Sequence, residues 1–181
     1  MDSRDFMLTS IICIPLLAAL LTLLIPRNYR FVIRCVALLA TLVTLALATL
    51  LFLNFDGAVA GPGGYKFVHQ IPWVQSPDIS YFVGVDGINV GLIFMGAIVA
   101  FAAACVSWEI QSNEKLFYVL LLVMTGGILG AFASLDLFFF YAFHELALVP
   151  TFIMIGVWGR GENKNYATFQ ITLYLSIGAL I

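Results

Sequence analysis

Phe138 to Gly159 reads FFFYAFHELALVPTFIMIGVWG. It is an apolar run of span length with an imidazole and a carboxylate, His144 and Glu145, next to each other near its middle. A helix needs about 20 apolar residues to cross a bilayer, and this run meets that length. Working outward, four more runs do the same: Phe6 to Ile25, Phe31 to Leu53, Gly87 to Trp108 and Leu116 to Ser134. The quoted run extends over Leu137 to Gly159 as the fifth. A sixth begins near Ala167 and reads ATFQITLYLSIGALI. It reaches Ile181 with no polar stop, so the expectation is a span left incomplete and a chain truncated at its C-terminus. The predicted fold class is therefore all-α, a polytopic transmembrane helix bundle of about six helices.

Composition agrees. The chain has 181 residues, of which 62% are hydrophobic and 10% charged, and its mean hydropathy is +1.06. Soluble domains run near 45–50% apolar and about 25% charged. A net charge of −2 without a basic tract gives no support for nucleic-acid binding. Cys13, Cys35 and Cys105 lie far apart in apolar runs, without metal-ligand spacing. No GxGxxG or phosphate loop is present, so no nucleotide site is visible on the chain. The N-terminal run is too long for a signal peptide and lacks a small-residue cleavage site.

Three regions follow: residues 1–53 with the first two spans, a loop over 54–86, and residues 87–181 with the remaining spans. The loop opens with a soft Gly57–Gly64 turn. It then carries two strand-like pieces, Tyr65–Gln70 and Ile79–Val83, separated by a turn with Pro72 and Pro77. This predicts a short extramembrane hairpin, with Trp73 and Tyr81 suited to the membrane interface. Asp86 is placed to cap the third span. Lys and Arg set orientation. Arg4 and Lys66 fall on one side; Arg27, Arg30, Arg34, Lys115, Arg160 and Lys164 fall on the other. The N-terminus and the loop are thus expected outside the cytoplasm, with Arg34 snorkelling to headgroups. Gly126, Gly130 and Ser134, with Gly127 and Ala131 one residue on, form a small-residue stripe. Such a stripe lets helices approach closely, and a very short turn predicts that the fourth and fifth spans pack as an antiparallel hairpin.

Glu145 lies within one turn of the centre of its span. A charge there costs ~2.5–3.5 kcal/mol on insertion scales. Burial favours the neutral acid unless a cation sits close, and a group poised between the two forms is what a proton relay needs. The other reading is a protonated Glu serving as interhelical hydrogen-bond glue. His144 points about 100° away around the helix; it either extends a proton path or packs as a neutral ring. Pro150 frees the carbonyl of Leu146, giving either an open acceptor beside Glu145 or an ordinary kink. Thr168, Thr172 and Ser176 share a face of the sixth span. They either hold water near Glu145 or hydrogen-bond between helices.

These residues resemble a known family. GVDG at Gly84–Gly87, the Ser107-Trp108 pair, ELALVPT at Glu145–Thr151 and IGVWG at Ile155–Gly159 are similar to the antiporter-like membrane subunits of proton-pumping NADH:quinone oxidoreductase, respiratory complex I. The similarity is strongest to the subunit M type, chain 4 of mitochondria. The resemblance implies proton translocation, coupled to electron transfer from NADH to quinone, with Glu145 as the fifth-helix glutamate that partners a lysine on a broken seventh helix. It implies NADH, FMN, iron–sulfur clusters and quinone on other subunits, with none on this chain. It also implies other membrane subunits and the lipid bilayer as partners, and a bacterial plasma membrane or organelle inner membrane as the location. Two departures stand beside it. His144 replaces the family's aromatic or apolar residue, and none of the lysines here lies inside a predicted span. Two other readings are a subunit of a multisubunit Na+/H+ antiporter or membrane-bound hydrogenase, and a structural membrane module with no transport role.

Overall fold

The computed structural model describes residues 5–74, 79–110 and 112–180; Arg4 and Pro77 lie outside them. Six helices form the body: α1 (Asp5–Leu24), α2 (Arg30–Leu53), α3 (Asn89–Val106), α4 (Glu114–Ala133), α5 (Leu137–Trp158) and α6 (Lys164–Leu180). Two strands, β1 (Lys66–Val74) and β2 (Ile79–Val85), form an antiparallel hairpin between α2 and α3. Helices α1 to α5 are each long and apolar enough to cross a membrane, so this is an integral membrane, all-α bundle. Helices α2, α4 and α6 begin on Arg30, Glu114 and Lys164, charged residues that hydropathy alone leaves outside the spans.

In hydrocarbon every backbone polar group needs a partner within the protein, which a helix supplies. Side-chain hydroxyls follow the same rule. Buried Thr22, Thr41, Thr44 and Thr125 donate to the carbonyls of Ala18, Ala37, Ala40 and Leu121, one turn back.

The bundle is built around α4. About 67% of its span is buried, against 11% for α5, which makes α4 central and α5 peripheral. Its glycines explain the difference. A Cβ on Gly126 would lie 2.5 Å from Leu16 of α1, and one on Gly130 2.5 Å from the Phe143 ring of α5. A Cβ on Gly127 would strike α5 backbone, at 2.7 Å from Ala147 N and 2.9 Å from Phe143 O. Two neighbouring helices therefore reach α4 at one depth because side chains are missing there. The α4–α5 turn is as short as its sequence predicts. Asp136 Oδ1 accepts from Phe138 N and Phe139 N, the N-cap of α5.

The hairpin closes one end of the bundle. Strand β1 runs further than predicted: Pro72 is not in the turn but pairs with Ser80. Each strand of a two-stranded sheet has an open edge, where a missing N–H is tolerated. A bulge between Lys66 and His69 puts Phe67 at φ 52°, and its ring enters the core. The hairpin is stitched to the α4–α5 turn by Leu135 N donating to Phe82 O at 2.8 Å. Trp73 meets Phe138 and Phe139 at the start of α5. Tyr81 donates to Thr9 Oγ1 of α1 (3.3 Å), and that oxygen lies 2.7 Å from His69 Nδ1. Burial pushes the Tyr81 phenol above its usual range, so it stays a donor. Asp86 Oδ1 accepts from Ile88 N and Asn89 N at the entry to α3.

The opposite end is cationic. There Arg34 does not snorkel. It forms an ion pair with Glu114 of α4, its side chain 18% exposed and that of Glu114 only 4%. Its guanidinium also sits 5.1 Å from the Trp108 ring centre. A carboxylate within reach inside the bundle outcompetes the headgroup layer, because a buried charge is costly unless paired.

Candidate functional site

Helix α5 runs unbroken through Pro150. At 1.5 Å per residue Glu145 lies about 12 Å from the Leu137 end and about 4 Å from the helix midpoint. The turn that carries it rests on α4. Phe143 O, Leu146 C and Ala147 N all come within 3.0 Å of where a Gly127 Cβ would be. At 100° per residue, Glu145 stands roughly 160–200° around from Phe143 and Ala147. Its carboxyl therefore projects away from α4, and the side chain is 32% exposed.

His144 Nδ1 is 4.0 Å from Glu145 Oε1. This nitrogen is buried and has no hydrogen-bond partner among the described residues. The ring stacks on Phe140, one turn earlier, at 6.3 Å between centres. Tyr141 stands one turn before Glu145 on the same face of α5. Pro150 is buried and Leu146 exposed. Thr151 Oγ1 donates to Ala147 O at 2.9 Å, so the carbonyl beside the one Pro150 frees is doubly engaged.

Helix α6 meets α5 at Gly156. The Thr168 methyl lies 3.7 Å from where a Gly156 Cβ would be, and Gly156 is within about 20° of Glu145 around the axis. Thr168 is thus on the order of 16 Å from Glu145 along α5. Thr172 and Ser176 follow toward Glu145 on successive turns of α6, which runs back along α5 after a short connection. Thr168 Oγ1 donates to Lys164 O and Thr172 Oγ1 to Thr168 O. Both hydroxyl protons are used within the helix, leaving acceptor lone pairs for other donors.

Two features are not legible in the sequence, one at this site and one at the cationic end. Gly127 belongs to a recognised small-residue stripe, but nothing in the sequence says that it meets the turn of Glu145. Glu114 opens an apolar run on the same side as Arg34, and that shared side is the only sequence signal for their ion pair.

Comparison with known proteins gives a consistent picture. Residues 134–181 match the family described as NADH:quinone oxidoreductase/Mrp antiporter, TM. The chain is 31% identical over 97% of its length to NADH-ubiquinone oxidoreductase chain 4 of Arabidopsis thaliana, covering 35% of that protein. It is 34% identical over 96% of its length to the chloroplastic NAD(P)H-quinone oxidoreductase chain 4 of Chara vulgaris, covering 34% of it. A chain in the structure of respiratory complex I from Thermus thermophilus with bound NADH superposes with a TM-score of 0.75, at 27% identity. That match covers 96% of this chain and 33% of the other. The chain thus spans about a third of the length of the relatives it matches.

Proposed function

We propose that this chain, a relative of the chain 4 subunits of NADH-quinone oxidoreductases along nearly its whole length, moves protons through Glu145 as part of the membrane arm of such an enzyme. One observation carries the reading: a carboxylate near the midpoint of α5, whose turn is fixed against α4 at Gly127. Electron transfer from NADH to quinone belongs to other subunits in this reading. They hold the FMN and iron–sulfur clusters, and this chain holds no redox group. Other membrane subunits and the bilayer are its partners. The residues 54–86 loop faces away from the cytoplasm or its organelle equivalent, because the arginine-rich end prefers the inner side.

The chemistry is electrostatic. In a medium of low dielectric a nearby cation holds Glu145 charged. When the cation moves away or loses its charge, the neutral acid wins and Glu145 takes a proton. Returning the cation expels that proton. Work is done only if the two states differ in proton affinity and in the side to which Glu145 opens. Among the described residues the cations Arg27, Arg30, Arg34, Lys66, Lys115, Arg160 and Lys164 all stand near helix ends or in the segments that connect the helices, whereas Glu145 lies near the midpoint of α5. The partnering cation is therefore supplied from outside these residues, in keeping with the lysine that the family resemblance implies. His144, whose unpartnered Nδ1 lies 4.0 Å from Glu145 Oε1, is in this reading a secondary proton donor beside water. The acceptor lone pairs of Thr168 and Thr172, with Ser176, offer a water file along α6.

The test is Glu145→Gln in the full-length protein within its complex. Vesicles are driven with NADH and the pH gradient is read. The gradient should fall to near background, Glu145→Asp should retain part of it, and His144→Phe should be mild. An undiminished gradient in Glu145→Gln would remove the proposal.

A further inference from the structure

A second cluster of charge, remote from Glu145, gathers where the start of α4 meets the end of α1 and the start of α2. A cavity of about 390 Å³ opens there. Arg27, Arg30 and Lys115 line it together with Glu114, over an apolar wall that includes Leu23 and Val119. Glu114 Oε1 is taken by Arg34. Its Oε2 is buried and has no hydrogen-bond partner among the described residues; Arg30 Nε, at 4.0 Å, is beyond bonding distance. Lys115 Nζ donates to Leu23 O (2.7 Å) and Ile25 O (2.8 Å), which leaves one of its three N–H groups for a ligand.

The wall asks three things of an occupant. Three cations, facing a carboxylate already matched by Arg34, call for an anion. The orphaned Oε2 calls for a hydrogen-bond donor, because a buried acceptor left unmet is costly. The apolar wall calls for hydrocarbon. Water supplies only the donor, and a free phosphate ester supplies no hydrocarbon. The cavity also lies at the end of a spanning bundle, at the depth of lipid headgroups. We propose that it binds the headgroup of an anionic glycerophospholipid whose phosphodiester bears a free hydroxyl, of the phosphatidylglycerol type. The phosphate meets Arg27, Arg30 and Lys115, the hydroxyl donates to Glu114 Oε2, and an acyl chain runs along Leu23 and Val119.

The experiment is lipid retention on the full-length protein in detergent, read by native mass spectrometry with equimolar phosphatidylglycerol, phosphatidylcholine and phosphatidylmethanol. One phosphatidylglycerol should be retained at least about tenfold more strongly than phosphatidylcholine. Phosphatidylmethanol is anionic but has no hydroxyl, and should fall between them. Arg27→Gln and Arg30→Gln should each lower phosphatidylglycerol retention about fivefold, with elution volume and helicity unchanged because both side chains are exposed. Equal retention of phosphatidylglycerol and phosphatidylcholine, or retention unaffected by either substitution, would overturn the site. Phosphatidylmethanol held as well as phosphatidylglycerol would overturn the contact with Glu114. Displacement of the lipid by equimolar glycerol 3-phosphate would overturn the lipid and assign the cavity to a soluble phosphate ester.

Discussion

Replacing Gly127 with alanine in the full-length protein is expected to lower NADH-driven proton pumping by roughly ten- to a hundredfold, although the change adds a single methyl group. The atoms that this methyl would meet belong to backbone: Ala147 N at 2.7 Å, Phe143 O at 2.9 Å and Leu146 C at 3.0 Å. A flexible side-chain tip can swing aside, whereas the α5 backbone moves only as a unit. The helix must back away or rotate, and either motion carries Glu145 with it. A shift of about 1 Å in a reacting group can cost on the order of a hundredfold. Overpacking adds about 1–3 kcal/mol of destabilisation, so Gly127→Val should also reduce the yield of assembled protein. Gly91 of α3 provides the control, since a Cβ there meets nothing within 4 Å. Gly91→Ala should pump normally. Equal pumping in Gly127→Ala and Gly91→Ala would show that the α4–α5 contact does not position Glu145.

Arg34→Met is expected to destabilise the protein by about 3–5 kcal/mol, the usual effect of removing one partner of a buried pair. The Glu114 side chain is only 4% exposed, and without Arg34 its carboxylate would have Arg30 at 4.0 Å as the remaining cation of the pair network. The Arg34 guanidinium also leaves the Trp108 face, which adds lost packing to lost charge. The double variant Arg34→Met with Glu114→Met removes both charges, and replacing a whole buried pair by apolar groups is often close to neutral. It should recover most of the stability. Thermal unfolding in detergent reads both. If the double variant is as damaged as the single one, packing rather than the uncompensated charge accounts for the loss.

The spans were legible because hydropathy and length set them directly, and the α4–α5 hairpin because Gly126, Gly127, Gly130 and a very short turn announce it. Helix faces were less legible. These helices are apolar on nearly every side, so hydrophobic periodicity, which orients a helix in a soluble protein, carries little information here. That is why Gly127 could be assigned to a close contact but not to the turn of Glu145. It is also why Arg34, far from Glu114 in sequence, read as a snorkelling side chain. The sequence predicts the first strand only as far as Gln70 because Pro72 reads as a turn residue, and only the register against Ser80 shows Pro72 in the strand. Glu145 itself was legible for the opposite reason: one carboxylate in an apolar span is conspicuous without any knowledge of its neighbours.

In the function proposed here, Glu145 gains and loses a proton during turnover. Infrared difference spectroscopy on the full-length protein in its complex, comparing resting and NADH-driven states, reads this directly through the carbonyl stretch of a protonated carboxylic acid. A band that changes with turnover is expected in the native protein, shifted in Glu145→Asp and missing in Glu145→Gln. A turnover-dependent carboxyl band that persists unchanged in Glu145→Gln, or no such band in the native protein, would contradict it.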